Sequence, residues 1–404
     1  MSRSVVVVSL RAGDWLTECL QSVREQADDL VVVDNGSPDA EVAAVGRQFG
    51  ATVVRNRVNQ GFTGGVNQGI GRSRGDVVAL LNDDAVAEPS WLAVAESTLA
   101  DPTVAAVTPK ILLSGWFGQL TPAEEAWDAS PDPRILGRRL FSVRYHDEEL
   151  LEQLVGPGVH GIETGTEDGR PVRWRWTRPG KPYFVPLAVP RPPEGVTING
   201  EESVTPGAVC RLINNAGLFL RSDGYSGDHG LGSPDDGRWD HPRETFGVTG
   251  TAMAARSDVF RTVGPFAPPF FAYYEDTDWS WRARRRGMRL VYTPSTSIHH
   301  RRSVTSAQTL GGRVRILSER NRLLCLVRNA PGDVMANAVR RRIVDGPDHG
   351  IRRGMVRKLP WALATRFQLA RGASLTAAEV WERWAGSDIE WDDGPCAPEE
   401  HHAG

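Results

Sequence analysis

Two clusters of carboxylates stand out in this 404-residue chain as groups able to do chemistry. The first is Asp83-Asp84, inside the stretch GDVVALLNDDAVAEPSW from Gly75 to Trp91. Val77 to Leu81 is an apolar run of the length and β-branching of a strand buried on both faces, and it stops at Asn82-Asp83-Asp84. Adjacent carboxylates at the end of a buried strand repel each other and lose hydration. A divalent cation removes that cost, and oxygen ligands of this kind suit Mg²⁺ or Mn²⁺. The carboxyl edge of an open α/β sheet is also where ligands bind. The same residues would serve as an Asx-rich turn ahead of a helix that starts near Pro89. The second cluster is Glu275-Asp276-Thr277-Asp278, which follows the aromatic run Phe270 to Tyr274. Carboxylates at a helix start are favoured by the helix dipole, and their repulsion in an aromatic setting raises a pKa towards the range of a general base. The plainer alternative is an acidic helix cap, supplied by Asp276 or Asp278.

The elements ahead of the first cluster read in a regular order. Val5 to Leu10 is a buried strand, and Asp14 to Ala27 has helical spacing at Trp15, Leu16, Leu20 and Val23. Leu30 to Val33 is a second strand, Glu41 to Phe49 a second helix and Thr52 to Arg55 a third strand. This alternation predicts a parallel sheet with right-handed crossovers. The first turn, Ser9 to Gly13, lacks GxGxxG, which argues against a dinucleotide-dependent oxidoreductase. Asp34, ending the second strand, is placed either to accept hydrogen bonds from a nucleobase or ribose or to form an Asx turn. Next comes NQGFTGGVNQG, Asn59 to Gly69, in which glycines permit close approach of a ligand and a helix starts near Val66. A flexible Gly-rich loop is the alternative.

Three segments together, Val31 to Ser37, Asn59 to Ile70 and Gly75 to Leu92, resemble the family-two inverting glycosyltransferases, most closely the bacterial rhamnosyltransferase-like members. The resemblance implies the A-type nucleotide-sugar fold: a mixed, mainly parallel sheet, here with a β-rich insert and C-terminal amphipathic helices. It implies a UDP- or dTDP-sugar donor, rhamnose among the sugars, and a hydroxyl acceptor on a glycan or polyprenyl-linked glycan. Donor contacts are expected at Ser9, Asp34, Asn35, Phe62, Gly65, Asn67, Asn82 and Asp83. Mg²⁺ or Mn²⁺ is expected on Asp84 and on His300, with His299 as the fallback, from alignment of Thr305-Ser306 with the relatives' pattern. The EDxD pattern falls on Glu275, Asp276 and Asp278, with Asp276 as general base and Glu275 orienting the acceptor. Asn82 replaces the first carboxylate of the common DxD, and no QxxRW motif is present, so transfer of single sugars is expected rather than polymerisation.

The boundaries implied are a nucleotide-sugar half over 1–112, an insert over 113–212, an acceptor half over 213–331, a basic helical tail over 332–386 and an acidic, disordered end over 387–404. In the insert, Val172 to Trp176 and Tyr183 to Leu187 alternate as strands, and Val196 to Ile198 enters an Asn199-Gly200 turn. Trp174 and Trp176 share a face, as a sugar-stacking platform requires, although core packing is the commoner use of such a pair. Asp223 to Asp240 is a polar loop that either closes over substrate or stays at the surface. Arg282 to Arg289 reads as a solvated basic helix face, Leu290 to Tyr292 as a strand, and Arg320 to Pro331 resembles the interfacial helix of this group. In the tail, Leu359, Trp361, Leu363, Phe367 and Leu369 against many arginines suit either an anionic membrane surface or packing on the catalytic domain. A net charge of −3 gives no sign of nucleic-acid binding, and four dispersed cysteines point to a reducing cytoplasm. With no leader and no long apolar run, a cytoplasmic protein peripheral to the membrane is expected. Two other functions compatible with these features are a nucleotidyltransferase making sugar nucleotides and a non-catalytic carbohydrate-binding scaffold.

Overall fold

Four consecutive valines, Val5–Val8, lie in an interior strand of the main sheet, where both faces are covered. The computed structural model describes residues 1–122, 134–145, 148–188, 195–200, 202–301, 313–344 and 349–386. Its first unit is built from described residues in 1–111, 215–228 and 240–386. Within it, β1 (Arg3–Ser9), β2 (Asp29–Asp34), β3 (Thr52–Arg55) and β4 (Val77–Asn82) run parallel, linked by α1 (Asp14–Arg24), α2 (Glu41–Gln48) and α3 (Gly61–Arg72). The register pairs Ser9 with Asp34 and Val8 with Asn82, so the polar ends of β1, β2 and β4 fall on one sheet edge.

Later elements complete the sheet, the strand they place beside β4 running antiparallel to it. They are β5 (Ala85–Ala87), α4 (Trp91–Leu99), β6 (Val104–Leu113), β7 (Arg243–Glu244), β8 (Ala252–Arg256), α5 (Ser257–Val263), α6 (Glu275–Arg285) and β9 (Arg289–His300). The strand order is β7-β9-β6-β8-β4-β1-β2-β3, with β5 pairing β9. β8 pairs Ala252 with Leu81, and β9 pairs Ile298 with Ala87 and His300 with Ala85. The strand expected at Leu290 to Tyr292 therefore runs on through Pro294, exchanging its partner β7 on one side of the proline for β5 on the other.

Four helices close the unit: α7 (Arg313–Asn329), α8 (Gly332–Val339), α9 (His349–Arg371) and α10 (Ala377–Trp384). They bury what the sequence reading left outside. The segment expected as an interfacial helix is interior, with Asn321 to Asn329 all buried. Arg282, Arg284 and Arg285 of α6, expected on a solvated face, are buried too. α7 packs against α6, Trp381 of α10 stacks on Trp281, and the Arg284 guanidinium lies over Trp384.

The second unit comprises described residues between 112 and 214 together with His229–Trp239. It is all β apart from one turn of 3₁₀ helix, with hairpins Glu163–Glu167/Arg170–Trp176 and Val196–Ile198/Glu202–Val204. The second hairpin turns through Asn199 and Gly200 at φ +52° and +75°, the left-handed pair that matches strand twist. Trp176 is buried, and the Arg139 guanidinium lies 5.0 Å from the Trp174 ring and 4.7 Å from the Trp176 ring. The face that a sugar would stack on is thus covered by arginine, and the pair is packing.

One buried charge ties α6 to α7. Asp278 is fully buried, and its Oδ2 accepts from Arg282 Nε at 2.9 Å while Arg328 Nη1 stands 2.7 Å away as an ion-pair contact. Asn329 Nδ2 donates to Oδ1 at 2.9 Å, and Arg282 Nη2 also donates to the carbonyl of Pro265 at 2.8 Å. Removing the carboxylate strands two guanidinium groups in the core. Asp278→Ala should lower unfolding stability by about 3–5 kcal/mol in urea titration, and a loss below about 1 kcal/mol would show that the cluster tolerates an uncompensated charge.

Candidate active site

The carboxyl ends of β1 and β4, the segment before β8 and the start of α6 line one cleft of about 440 Å³. At one side are Ser9, Asn82, Asp83, Asp84 and His300; at another are Thr249 to Thr251 with Glu275 and Asp276. Phe62 and Asn35 form part of the wall.

Asp83 and Asp84 follow β4 at the sheet edge and are both buried. Ser9 Oγ donates to Asp83 Oδ2 at 2.5 Å, across the β1–β4 pair. Burial pushes the Asp83 carboxyl up to about 7, against the Ser9 hydrogen bond and with help from the Asp84 charge. His300 Nε2 lies 3.1 Å from Asp84 Oδ1, because β9 pairs His300 with Ala85, the residue after Asp84. His299, on the opposite face of the strand, lies 3.9 Å from Glu88 instead. Thr305 and Ser306, used to align the histidine, lie outside the described residues.

Glu275, buried, and Asp276, half-buried, open α6 as consecutive carboxylates, but their surroundings differ. Asp276 Oδ2 accepts from the Gly250 amide at 3.0 Å, and Oδ1 from the Thr277 amide at 2.7 Å. Glu275 Oε2 is buried with no hydrogen-bond partner. Burial first, then the charge of Asp276, pushes Glu275 up to about 8. Burial raises Asp276 as well, but the two amides oppose it. Of the pair, Glu275 is therefore the one that holds a proton more readily.

The loop before α6 holds strained backbone, with Phe271, Tyr273 and Tyr274 at φ of +70°, +70° and +65°. Asn321 on α7 clamps it: its Nδ2 lies 2.9, 2.7 and 2.8 Å from the carbonyl oxygens of Phe270, Ala272 and Tyr273. The Phe271 carbonyl also accepts from the Thr63 amide at 3.1 Å, joining the loop to the start of α3.

Several expected residues sit elsewhere. Asp34 and Asp278 do not line the cleft. Asp34 Oδ1 accepts from the Gly36 and Ser37 amides at 3.2 and 2.8 Å, so it shapes the turn after β2. Asp278 is consumed by Arg282, Arg328 and Asn329. Asn67 is taken by Phe266, donating to its carbonyl at 2.8 Å and accepting from its amide at 2.9 Å. α3 begins at Gly61, five residues before the expected Val66, because glycines let it lie flat on β1. A Cβ on Gly65 would meet Val8 at 2.5 Å, and one on Gly69 would meet Val6 at 2.2 Å, so Gly65 is a packing residue away from the cleft. Asn35 lines the cleft while stapling the glycine-rich segment, donating to Asn59 Oδ1 and the Gly61 carbonyl, both at 3.1 Å. Sequence reasoning missed Ser226 to Asp228, which only the polar character of the 223–240 loop hinted at, and Ser318 of α7, for which it offered no signal.

The unequal partners of Glu275 and Asp276 have a measurable consequence. A glutamate held near 8 keeps a proton that the unfolded chain releases near 4.5, so wild-type stability falls as pH rises between those values, by at most about 1.4 kcal/mol per pH unit. Glu275→Gln lacks this loss and should gain stability relative to wild type between pH 5 and pH 8 in urea unfolding. Parallel stability curves over that interval would show that Glu275 is ionised in the fold.

Residues 4–151 match the family model described as Glycosyl transferase family 2. A glucosyl-dolichyl phosphate glucuronosyltransferase from Haloferax volcanii is 29% identical over 180 residues, which is 41% of this chain and 57% of that protein. An uncharacterized glycosyltransferase from Haemophilus influenzae is 26% identical over 98 residues, 22% of this chain and 30% of its own length. The chain thus spans little more than half the length of the first relative. Among solved structures, GalNAc-T7 with UDP, GalNAc and Mn²⁺ is similar with a TM-score of 0.54 at 12% identity, over 94% of this chain and 56% of that one. That likeness is one of fold. The amino-terminal segment over residues 4–151 is thus similar to the glycosyl transferase family 2 domain, and the fold is that of the A-type glycosyltransferases.

Proposed function

We propose that the chain is an inverting glycosyltransferase that moves a sugar from a nucleoside diphosphate donor, a UDP- or dTDP-sugar, to a hydroxyl of a glycan or lipid-linked glycan in cell-surface polysaccharide synthesis. The observation that carries this reading is a single cleft lined by Asp83, Asp84 and His300 together with Glu275 and Asp276. A lipid-linked acceptor is supported by the name of the Haloferax relative, which refers to a dolichyl phosphate sugar. Rhamnose is the sugar suggested by the sequence resemblance.

The donor set fits a divalent cation. A buried carboxylate oxygen and a buried imidazole nitrogen converge to 3.1 Å; the oxygen suits either Mg²⁺ or Mn²⁺, and the nitrogen favours Mn²⁺. Among the described residues no group of three or more His, Cys, Asp or Glu side chains forms a ligand set, so Asp84 and His300 would be the protein's contribution and the diphosphate and water would complete the shell. Bound there, the cation supplies positive charge against the leaving diphosphate. Ser9 and Asp83 would face the ribose, with Asn35 and Phe62 at the nucleoside. Asp34, Gly65 and Asn67 would shape that region indirectly.

Asp276 is the base in this reading. Its amide-bound carboxylate stays ionised and takes the acceptor's hydroxyl proton as the new bond to the anomeric carbon forms and the bond to the diphosphate breaks, inverting the centre. Neutral Glu275 would donate a hydrogen bond to an acceptor oxygen. Asp278, bound inside the core, would act only through the placement of α6.

Two measurements check the two halves of the site. In calorimetry, wild-type protein should bind nucleoside diphosphate more tightly with Mn²⁺ than with EDTA, and Asp84→Ala should abolish the difference; equal wild-type affinity in both conditions would remove the metal. Asp276→Asn keeps the shape but takes no proton, so donor affinity should persist while transfer falls by at least ~10²-fold. Transfer within a fewfold of wild type in Asp276→Asn, with Glu275→Gln inactive, would move the base to Glu275.

A further inference from the structure

Helix α9 carries six basic residues and no acidic one. The fold divides them. Inward, Ile351, Met355 and Ala362 are buried, Arg366 Nη1 donates to the Val327 carbonyl at 2.9 Å, and Lys358 reaches the Pro269 carbonyl. Trp361, set with the exposed stripe on sequence grounds, instead turns in against Phe270 and Arg328. What remains outside is a different stripe: Val356, Pro360, Leu363 and Phe367, spaced by four, three and four residues and hence on one helix face. Val356 is 56% exposed, Leu363 37% and Phe367 70%, the largest value among the exposed large hydrophobic side chains described. Arg352, Arg353, Arg357 and Arg371, all exposed, flank this stripe.

We propose that this outer face of α9 docks the chain on an anionic lipid surface, the apolar stripe entering the headgroup boundary while the flanking arginines meet lipid phosphates. An apolar ridge with arginine shoulders has the two features of interfacial helices, buried hydrocarbon contact and attraction to negative charge. No helix among the described residues is long and apolar enough to cross a bilayer, so the contact is peripheral. A second copy of the chain is the less favourable occupant. Two such faces brought together would oppose arginine to arginine, with no carboxylate on either α9 to neutralise them. The inference stands apart from the transferase reading, since it uses no residue of the cleft.

The test is sedimentation of the full chain with phosphatidylcholine vesicles, with and without phosphatidylglycerol, at low and high salt. The protein should partition onto the phosphatidylglycerol vesicles, and more strongly at low salt. Leu363→Ser with Phe367→Ser should weaken partition by at least ~10-fold, from lost apolar burial. Arg353→Gln with Arg357→Gln should weaken it and flatten its salt dependence. All four side chains are exposed, so thermal unfolding and nucleotide binding should stay at wild-type values; the arginine pair keeps the test intact if the apolar pair disturbs folding. Failure of wild-type protein to bind anionic vesicles at low salt, or partition unchanged in both variants, overturns the proposal. So does a dimer in light scattering that the Leu363→Ser, Phe367→Ser variant disperses without any lipid partition, which would assign the stripe to a second copy.

Discussion

The placement of the cleft carboxylates Glu275 and Asp276 depends on a third carboxylate enclosed in the core. Asp278 sits one helical turn after Glu275, fully enclosed, and it holds guanidinium groups from its own helix and from α7. A lone carboxylate there would be intolerable, and two lone guanidinium groups equally so; together they are tolerable only in one arrangement of the two helices. α7 uses that fixed position to clamp the loop ahead of α6, where one asparagine amide faces three carbonyl oxygens of a strained segment. Strain of this kind persists only when its surroundings over-determine it. The lip of the cleft and the two carboxylates behind it are thus set by a helix outside the segment that matches the family model.

Hydrogen bonding also separates neighbours that are alike in composition. Glu275 and Asp276 are consecutive carboxylates at a helix start, yet Asp276 is met by two backbone amides while one buried oxygen of Glu275 meets none. The cost of a second charge then falls on Glu275. At the other side of the cleft Asp83 and Asp84 divide in the same manner, the first engaged by the Ser9 hydroxyl and the second by the His300 imidazole. Adjacent acids with different partners thus present four chemically distinct carboxyl groups to one cleft.

Arginine shows how far position alters the meaning of a residue type. Arg282 and Arg284 are buried because each finds a carboxylate and several carbonyls inside the fold. Arg352 and Arg353 remain at the surface beside an apolar ridge. The guanidinium fork makes the first use possible, since its five donors can be satisfied by main-chain oxygens in a core.

Much of this was legible in the chain itself. The alternation of apolar strand and helix runs up to Asn82 dictates a parallel sheet, because runs such as Val5–Val8 and Val77–Leu81 are stable only when covered on both faces. The same runs end in polar residues, which by itself puts Asp83 and Asp84 at the carboxyl edge of the sheet. Local signals also set the Asn199-Gly200 turn. What sequence could not decide was partnership across distance. Which of His299 and His300 stands beside Asp84 rests on the register of β9 against β5, a one-residue matter that flips a side chain to the other face. Asp276 and Asp278 are equivalent in an acidic run, and only α7, arriving from residues 313–329, claims Asp278 for the core. The early start of α3 and the burial of the α6 arginines have the same cause: glycine and arginine read as loop and surface until a neighbouring strand or helix is packed against them. Local propensity and periodicity are properties of adjacent residues, whereas burial, register and charge pairing are set by which elements meet.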